Sequence, residues 1–177
     1  MKEILQYLYT YQTLSKEQAK EIIHNIREKK YNEIQIASFL TVFSMRSITI
    51  DEMNGFVEAL KESCISVNLQ GYDTIDMCGT GGDGKNTFNI STIASFIVAG
   101  AGINVAKHGN YGVSSGCGSS NLMEALGYTF STDSAKLQSD IEKAGMCYMH
   151  APLFHPTMKE VAPIRKQLIV RTFFNMA

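Results

Sequence analysis

Two glycine-rich segments carry the residue types best suited to binding an anion. The first runs Gly79-Thr-Gly-Gly-Asp83 and leads through Asn86 into a predicted helix. Its glycines let backbone N–H groups approach a phosphate, and the N-terminus of the helix adds partial positive charge. Four side chains around this terminus add hydrogen-bonding groups: Thr87, Asn89, Ser91 and Thr92. The pattern predicts an anion site, and a tight turn followed by an N-cap is the simpler alternative for Ser91.

The first segment also narrows the class of ligand. It matches neither GxxxxGK[ST] nor GxGxxG, which disfavours a nucleoside triphosphate or a dinucleotide. The hydroxyl oxygen of Ser91 would suit a magnesium ion that is carried on the phosphates of a ligand.

The second segment, Lys107-His-Gly-Asn-Tyr-Gly-Val-Ser-Ser115, directly follows a predicted strand. Lys107 supplies a point charge, and Gly109 and Gly112 supply a flexible backbone. Hydroxyl groups come from Ser114, Ser115 and the nearby Ser119. Because parallel strands end at the same edge of a sheet, both segments should line one crevice. The alternative for His108 is a structural histidine, and for 116–119 a flexible turn before a helix.

No residue pattern points to a catalytic acid, base or nucleophile. Cys64, Cys78, Cys117 and Cys147 lie far apart without a CxxC pair, which indicates neither a zinc site nor a disulfide framework. His108 has no neighbouring spacing of a Ser-His-Asp triad. We therefore assign no catalytic residue.

Composition limits the class of protein. The chain has 177 residues, with 16 basic against 17 acidic side chains, so it is not a polybasic protein of nucleic acids or membrane surfaces. No apolar run reaches the roughly 18 residues of a membrane span. The start, Met1-Lys2-Glu3, has no apolar signal core. We expect a cytoplasmic protein without nucleic-acid or membrane partners.

Hydrophobic spacing divides the chain into a helical front and an α/β region. Helical patterns cover 4–9, 19–26 after a capping box at Ser15, 34–45, and 50–60 after Thr49. Strands at 74–78, 103–106 and 146–149 alternate with helices at 90–101, 119–126 and 134–144, which predicts a parallel sheet. Pro163 is expected in the first turn of a last helix, over 164–177. The segment 34–45 should be a buried helix, and either a second copy or the rest of the chain should cover the apolar front helices.

Three strings together resemble the anthranilate phosphoribosyltransferase family: DMCGTGGDGKNTFNIST, then AKHGN with VSS, then HAPLFHPTMKEVAPIRKQL with VRTFFN. The resemblance extends from the first helix to Ala177. It implies a nucleoside phosphorylase/phosphoribosyltransferase-like fold, α/β with a separate N-terminal helical domain, here truncated. It also implies transfer of the phosphoribosyl group of phosphoribosyl pyrophosphate to anthranilate, with Mg2+, in tryptophan biosynthesis. The products are N-(5-phosphoribosyl)anthranilate and pyrophosphate.

The resemblance assigns site residues position by position. For phosphoribosyl pyrophosphate it implies Gly79, Gly82, Asp83, Thr87, Asn89, Ile90, Ser91, Thr92, Lys107, His108, Gly109, Asn110, Tyr111, Gly112, Val113, Ser114, Ser115 and Ser119. Ser91 is the implied magnesium ligand. For anthranilate it implies Gly79, Asn110 and Arg165, and an arginine fork suits a planar carboxylate. His108, Pro152 and His155 are implied to line the side of the aromatic acceptor.

Three departures from the family pattern involve four residues. Tyr111-Gly112 stands where relatives usually have Arg-Ser, Gly116 where they have Lys, and Ile169 where glycine is common. The first two changes remove positive charge, so we expect weaker binding of phosphoribosyl pyrophosphate unless Lys85 or Lys107 compensates.

Family chains continue for about as long again, and that half carries an Asp-Glu pair for a second magnesium ion. We therefore expect a helical domain at 1–70, rejoined by 160–177, and the first part of the α/β phosphoribosyl pyrophosphate-binding domain at 71–159. This piece should be inactive alone, and the full-length protein should form a homodimer through its helical domain. The alternatives are a pyrimidine nucleoside phosphorylase of the same fold and a non-catalytic truncated or binding paralogue.

Overall fold

The computed structural model describes residues 1–79, 88–112, 116–170 and 172–175. The chain divides into a helical unit, Met1–Cys64 with His155–Ala177, and an α/β unit, Ile65–Phe154. Within the described ranges, no helix is both long and apolar enough to cross a membrane.

The helical unit contains α1 (Lys2–Tyr9), α2 (Lys16–Arg27), α3 (Glu33–Met45), α4 (Ile50–Ser63), α9 (Pro156–Leu168) and a 3₁₀ turn at Phe173–Asn175. Capping boxes open α2, α3 and α4, at Ser15, Asn32 and Thr49. The boxes at Ser15 and Thr49 confirm the helix starts that the sequence predicts. Each capping side chain accepts a hydrogen bond from a backbone N–H group of the first turn, which has no acceptor within the helix.

Aromatic rings fill the core of the helical unit. Phe39 lies edge-on to Phe56 and Phe173, and Phe56 stacks on Phe173 with ring centroids 4.2 Å apart. Close packing of α2 and α4 depends on Gly55, where an added Cβ would lie 2.3 Å from the carbonyl oxygen of Lys16. The 3₁₀ turn and α9 therefore share one core with the N-terminal helices.

The helix α3 is buried on one face only. Phe39 and Leu40 are fully enclosed, whereas Ile34 and Met45 are 79% and 74% exposed. Although α3 contacts α1 and α9 of the same chain, an apolar surface is left uncovered. The expectation of a buried helix is therefore wrong for this face.

The last long helix begins earlier than the sequence indicated. Pro156 is its first residue, Pro163 lies inside it, and it ends at Leu168. Proline suits the first turn because its missing N–H has no intrahelical partner there. Pro156 takes that position, and burial of Val161 and Ile164 in the core favours continuing the helix past Pro163. The prediction of a helix over 164–177 is wrong.

The α/β unit contains β1 (Thr74–Ile75), α5 (Ile90–Gly100), β2 (Asn104–Gly109), α6 (Ser119–Ala125), α7 (Ser134–Ala144), β3 (Met146–His150) and α8 (Ala151–Phe154). The strands lie in the order β1-β2-β3, and both pairs are parallel. The register aligns Ile75 with Val105 and Gly109 with His150. The parallel sheet that the alternating pattern predicts is confirmed.

The first strand is shorter than the predicted 74–78. Beyond Ile75, the carboxylate of Asp76 accepts hydrogen bonds from the backbone N–H groups of Cys78, at 2.9 Å, and His108, at 3.2 Å. A side chain thus replaces the backbone partner that a longer strand would need, which ends the ladder.

Candidate functional site

The N-terminus of α5 has the features of an anion site. Its N-cap residue, Asn89, makes no side-chain capping hydrogen bond. Ser91 lies inside the helix, so the alternative that Ser91 is a simple N-cap is wrong. The Oγ1 atom of Thr92 is buried and has no hydrogen-bond partner among the described residues. The helix dipole at such a terminus favours a bound anion.

Lys107 brings a buried positive charge to this terminus. Its side chain is 1% exposed, and its Nζ atom lies 3.5 Å from both the Oγ of Ser91 and the carbonyl oxygen of His108. Among the described residues it forms no ion pair with a carboxylate. Burial lowers the pKa of the Lys107 ammonium, although Cys78 and Asp76 oppose this shift. A negatively charged ligand would supply the partner that the charge lacks.

Asp76 joins the two segments that the sequence placed at one edge of the sheet. By accepting from the backbone N–H groups of Cys78 and His108, its carboxylate ties the segment after β1 to β2. The Sγ atom of Cys78 lies 4.0 Å from Nδ1 of His108. Burial lowers the pKa of the His108 imidazole and raises the pKa of the Cys78 thiol, so neither charged form is favoured.

The segment after β2 is held tightly against α6. The Oδ1 atom of Asn121 accepts from the backbone N–H groups of Gly112, at 3.1 Å, and Gly118, at 2.9 Å. An added Cβ at Gly118 would lie 2.2 Å from the nitrogen of Gly112. This close approach requires glycine at 118, so 116–119 is more than a flexible turn before α6.

Buried hydroxyl groups connect α6 to the end of β3. The hydroxyl of Tyr148 donates to the Oγ of Ser119 at 2.7 Å and lies 2.9 Å from the Oγ of Ser120. Ser120 is 2.8 Å from Nδ1 of His150, and Ser119 donates to the carbonyl oxygen of Asn110 at 3.3 Å. Burial lowers the pKa of His150, which favours a neutral ring.

Tyr111 belongs to an aromatic and acidic cluster. Its hydroxyl donates to Oε1 of Glu124 at 2.6 Å, and its ring lies edge-on to His150. The ring of Phe130 stacks on that of His150, with centroids 4.4 Å apart. A carboxylate therefore lies beside the position where the resemblance led us to expect a positive charge.

The structure brings together, at the carboxyl edge of the sheet, the described residues of the two predicted segments: Gly79, Asn89, Ile90, Ser91, Thr92, Lys107, His108, Gly109, Asn110, Tyr111, Gly112 and Ser119. Six other predicted residues lie outside the described part of the chain: Gly82, Asp83, Thr87, Val113, Ser114 and Ser115.

The residues implied for the acceptor's side fall in both units. Pro152 belongs to α8 of the α/β unit, whereas His155 and Arg165 belong to the helical unit. Within that unit the guanidinium carbon of Arg165 lies 5.8 Å from the centre of the Phe174 ring. Burial lowers the pKa of Arg165, which remains a cation near neutral pH.

Sequence reasoning missed five residues that shape this site: Asp76, Ser120, Asn121, Tyr148 and His150. Asn121 had a local signal, because an amide three residues after Gly118 is well placed to accept from the N-terminus of α6. The bonds of Tyr148 and His150 to α6 span about thirty residues, so no local pattern reports them.

Metal binding by protein side chains alone finds little support in the described ranges, where no group of three or more His, Cys, Asp or Glu side chains could hold an ion. Ser91 does offer a hard oxygen ligand beside the buried Lys107. A magnesium ion there would take most of its ligands from phosphate oxygens, which is its usual mode with phosphorylated substrates.

Two profiles of one protein family match the chain. Residues 71–177 match the profile described as glycosyl transferase family, a/b domain, and residues 2–64 match the helical bundle domain of the same family. Anthranilate phosphoribosyltransferase of Flavobacterium johnsoniae is 64% identical over 176 residues, which cover 99% of this chain and 53% of that protein. The enzyme of Christiangramia forsetii is 60% identical with the same coverage. The chain spans about half the length of the curated relatives it matches.

Solved structures agree with these matches. Anthranilate phosphoribosyltransferase of Thermus thermophilus superimposes with a TM-score of 0.83 at 34% identity, over 97% of this chain and 52% of that one. The Saccharomyces cerevisiae enzyme in complex with PRPP and Mg gives 0.78 at 28% identity, over 97% and 52%. The resemblance and the fold class expected from the sequence are confirmed.

Proposed function

Because the chain belongs to the glycosyl transferase family that joins a helical bundle domain to an α/β domain, we propose that it is the first half of an anthranilate phosphoribosyltransferase. Curated relatives that carry this name include proteins 53–64% identical over 99% of the chain. The reaction would transfer the phosphoribosyl group of phosphoribosyl pyrophosphate to the amine of anthranilate, as a step of tryptophan biosynthesis.

One observation within the site supports this proposal most directly. The buried ammonium of Lys107 lies 3.5 Å from the Oγ of Ser91, at a helix terminus whose N-cap makes no side-chain capping hydrogen bond. Burying a cation without a carboxylate partner costs stability, and a bound phosphate would recover that cost. We assign the N-terminus of α5, Ser91, Thr92 and Lys107 to the phosphates of phosphoribosyl pyrophosphate.

The chemistry needs positioning more than proton transfer. The amine nitrogen of anthranilate forms a bond to the anomeric carbon while the bond from that carbon to pyrophosphate breaks, and the amine then loses a proton. The transition state resembles an oxocarbenium ion, so the protein gains most by orienting the amine and neutralising charge on the leaving group. Asn110 and Arg165, each described within its own unit, are our proposed contacts of anthranilate.

Magnesium fits this site as an ion carried by the substrate, with Ser91 as its protein ligand. When bound, Mg2+ neutralises charge on pyrophosphate and so makes it a better leaving group. The Saccharomyces cerevisiae structure in complex with PRPP and Mg supports a role for magnesium, and Ser91 as its ligand is our proposal. Lys107 adds a fixed positive charge to the same phosphates.

A groove of about 560 Å3 in the helical unit supports a homodimer. It lies between α1 and α3, and exposed apolar side chains surround it, among them Tyr9, Tyr11, Ile34 and Met45. Large exposed apolar patches commonly mark interfaces, and a two-fold dimer would let the same patch cover itself. We propose that a second copy occupies this groove in the full-length protein.

The cytoplasm is the compartment we propose. All four cysteines lie in the described part of the chain, and no disulfide joins them. Thiols of this kind persist in a reducing compartment.

A chimera tests the proposed activity. This chain would be joined after Ala177 to the second half of the Flavobacterium johnsoniae relative and assayed by the loss of anthranilate fluorescence. We expect turnover that requires both phosphoribosyl pyrophosphate and Mg2+, and no turnover by residues 1–177 alone. A folded chimera that leaves anthranilate unchanged, or phosphorolyses uridine or thymidine in its place, would contradict the proposal.

A further inference from the structure

The hydroxyl of Tyr148 lies where three parts of the site meet. Its side chain is fully enclosed, and its oxygen contacts the Oγ atoms of Ser119 and Ser120 in the first turn of α6. On its other side it approaches β2 so closely that an added Cβ at Gly109 would lie 2.1 Å from it. Tyr148 thus connects β3, the end of β2 and the start of α6.

Proton counting fixes the direction of the hydrogen bonds around Tyr148. The carbonyl of Asn110 can only accept, so the proton of Ser119 goes to it. Ser119 must then accept from Tyr148, and the Tyr148 oxygen in turn accepts from Ser120. Because Ser120 has only one proton, its oxygen must accept from Nδ1 of His150. In this series of hydrogen bonds, the hydroxyls of Ser119, Tyr148 and Ser120 each donate once and accept once.

This series of hydrogen bonds ends at a backbone group of the site, the carbonyl of Asn110. The carbonyl of Asn110 accepts both from Ser119 and from the backbone N–H of Ser120, at 3.1 Å. The two bonds together set the position of the residue after β2 relative to the first turn of α6. Neither bond includes Tyr148. Tyr148 acts on them through Ser119, because by donating to the Oγ of Ser119 it leaves the proton of Ser119 for the carbonyl of Asn110.

We propose that Tyr148 is a positioning residue that orients Asn110 and Ser119 through a one-way chain of donors running from His150 to the carbonyl of Asn110. The geometry requires the Nδ1–H tautomer of His150, which leaves Nε2 without a proton. The effect on substrate binding rests on the proposed function, whereas the tautomer and the order of the segment after β2 do not.

The phenylalanine variant removes the hydroxyl and keeps the ring. Tyr148→Phe should retain the fold, because the aromatic contacts with Phe130 and Tyr128 do not need the oxygen. Tyr72→Phe is the matched control, since it removes a hydroxyl that donates to Glu142 at another place in the α/β unit. Ser119→Ala removes the next member of the chain.

Two measurements need no substrate. The 15N chemical shifts of His150 should show the Nδ1–H tautomer in the wild-type chain and a mixture in Tyr148→Phe. Amide hydrogen exchange over 109–112 and 116–121 should become about fivefold faster in Tyr148→Phe, with α7 unchanged and Tyr72→Phe like the wild type. An Nε2–H tautomer in the wild type, or unchanged exchange in Tyr148→Phe, overturns the proposal.

The third measurement is the affinity for phosphoribosyl pyrophosphate with Mg2+. The affinity should fall about tenfold in Tyr148→Phe. The double variant Tyr148→Phe/Ser119→Ala should bind no more weakly than the weaker single variant, because both residues act through the same series of hydrogen bonds. Additive losses would overturn the coupling. A wild-type chain that does not bind the substrate contradicts the proposed function, while the tautomer and exchange still decide the role of Tyr148.

Discussion

The side chain of Lys107 is almost fully enclosed, yet both of its polar contacts are 3.5 Å long. The resemblance led us to expect positive charge at two nearby positions, but Tyr111 is neutral and donates to Glu124, and Gly116 has no side chain. At the scale of single residues, we therefore expect the described part of the site to bind phosphates with one buried cation, Lys107, and the N-terminus of α5.

Restoring charge at position 116 should strengthen binding. A Cβ at Gly116 would meet no described atom within 4 Å, so Gly116→Lys is accommodated without a clash there. We expect about threefold tighter binding of phosphoribosyl pyrophosphate at low salt, with the gain shrinking as salt screens the charge. Isothermal titration at two salt concentrations measures this.

Gly100→Lys is the matched control for this prediction. It adds the same charge at the last residue of α5, another open position of the α/β unit. Equal gains from both variants would show a general effect of net charge and would contradict a phosphate contact at position 116.

The buried ion pair of Glu52 with Arg46 should stabilise the helical unit. Its carboxylate is fully buried and accepts from Arg46 and, at 2.9 Å, from the backbone N–H of Leu14. Glu52→Gln should lower the free energy of unfolding by about 3 kcal/mol, because it leaves the charge of Arg46 without its partner. Urea denaturation measures the loss, and Glu58→Gln, which alters an exposed ion pair with Lys16, should leave the transition unchanged.

The same carboxylate makes stability depend on pH. Burial alone would raise the pKa of Glu52, but hydrogen bonds from Arg46 and from the backbone N–H groups of Leu14 and Thr49 outweigh it and lower the pKa below its ordinary 4.5. The stabilisation is therefore present above pH 4.5 and is lost as the pH falls through the folded-state pKa. In Glu52→Gln this part of the acid dependence should disappear. An unchanged acid profile would contradict the assignment.

At the scale of the elements, the C-terminus of α9 carries backbone strain. Ile169 follows the helix with φ of 56°, in the left-handed region that disfavours a β-branched residue, and its side chain is 89% exposed. Ile169→Gly should raise the free energy of unfolding by about 1 kcal/mol, since relief of strain exceeds the entropy that glycine adds to the unfolded chain.

The neighbouring residue provides the control for Ile169→Gly. Val170 is also exposed but is not among the described residues with positive φ. Val170→Gly should therefore lower stability, because it adds unfolded-state entropy and relieves no strain. Equal effects of the two variants in thermal denaturation would contradict strain at Ile169.

The elements show why part of the molecule could be predicted from the sequence. Capping boxes at Ser15 and Thr49 and the alternation of strands and helices are local signals, and they placed α2, α4 and the parallel sheet correctly. The early end of β1 depends on Asp76 binding the N–H of His108, thirty-two residues away. Long-range bonds of this kind leave no local pattern, so the positioning residues of the site were found only in the structure.

At the scale of the whole molecule, the groove between α1 and α3 predicts self-association. Ile34→Glu places a charge in the proposed dimer interface, where Ile34 is 79% exposed in the single chain, so the fold should tolerate it. Sedimentation of the full-length protein should show a dimer for the wild type and a monomer for Ile34→Glu.

Ile97→Glu is the control for the interface. It charges an equally apolar residue on α5 of the α/β unit, where Ile97 is 67% exposed. A dimer that survives Ile34→Glu, or one that only Ile97→Glu disrupts, would contradict the proposed interface.

Binding of phosphoribosyl pyrophosphate to this 177-residue chain, measured by isothermal titration with and without Mg2+, tests the central claim most directly. We predict binding that requires Mg2+ and weakens at least about tenfold in Lys107→Met, because the buried cation is the main phosphate contact. Lys143→Met, at an exposed position of α7, should bind like the wild type. Tight binding that Lys107→Met leaves unchanged, or no binding by the folded wild-type chain, would contradict the account.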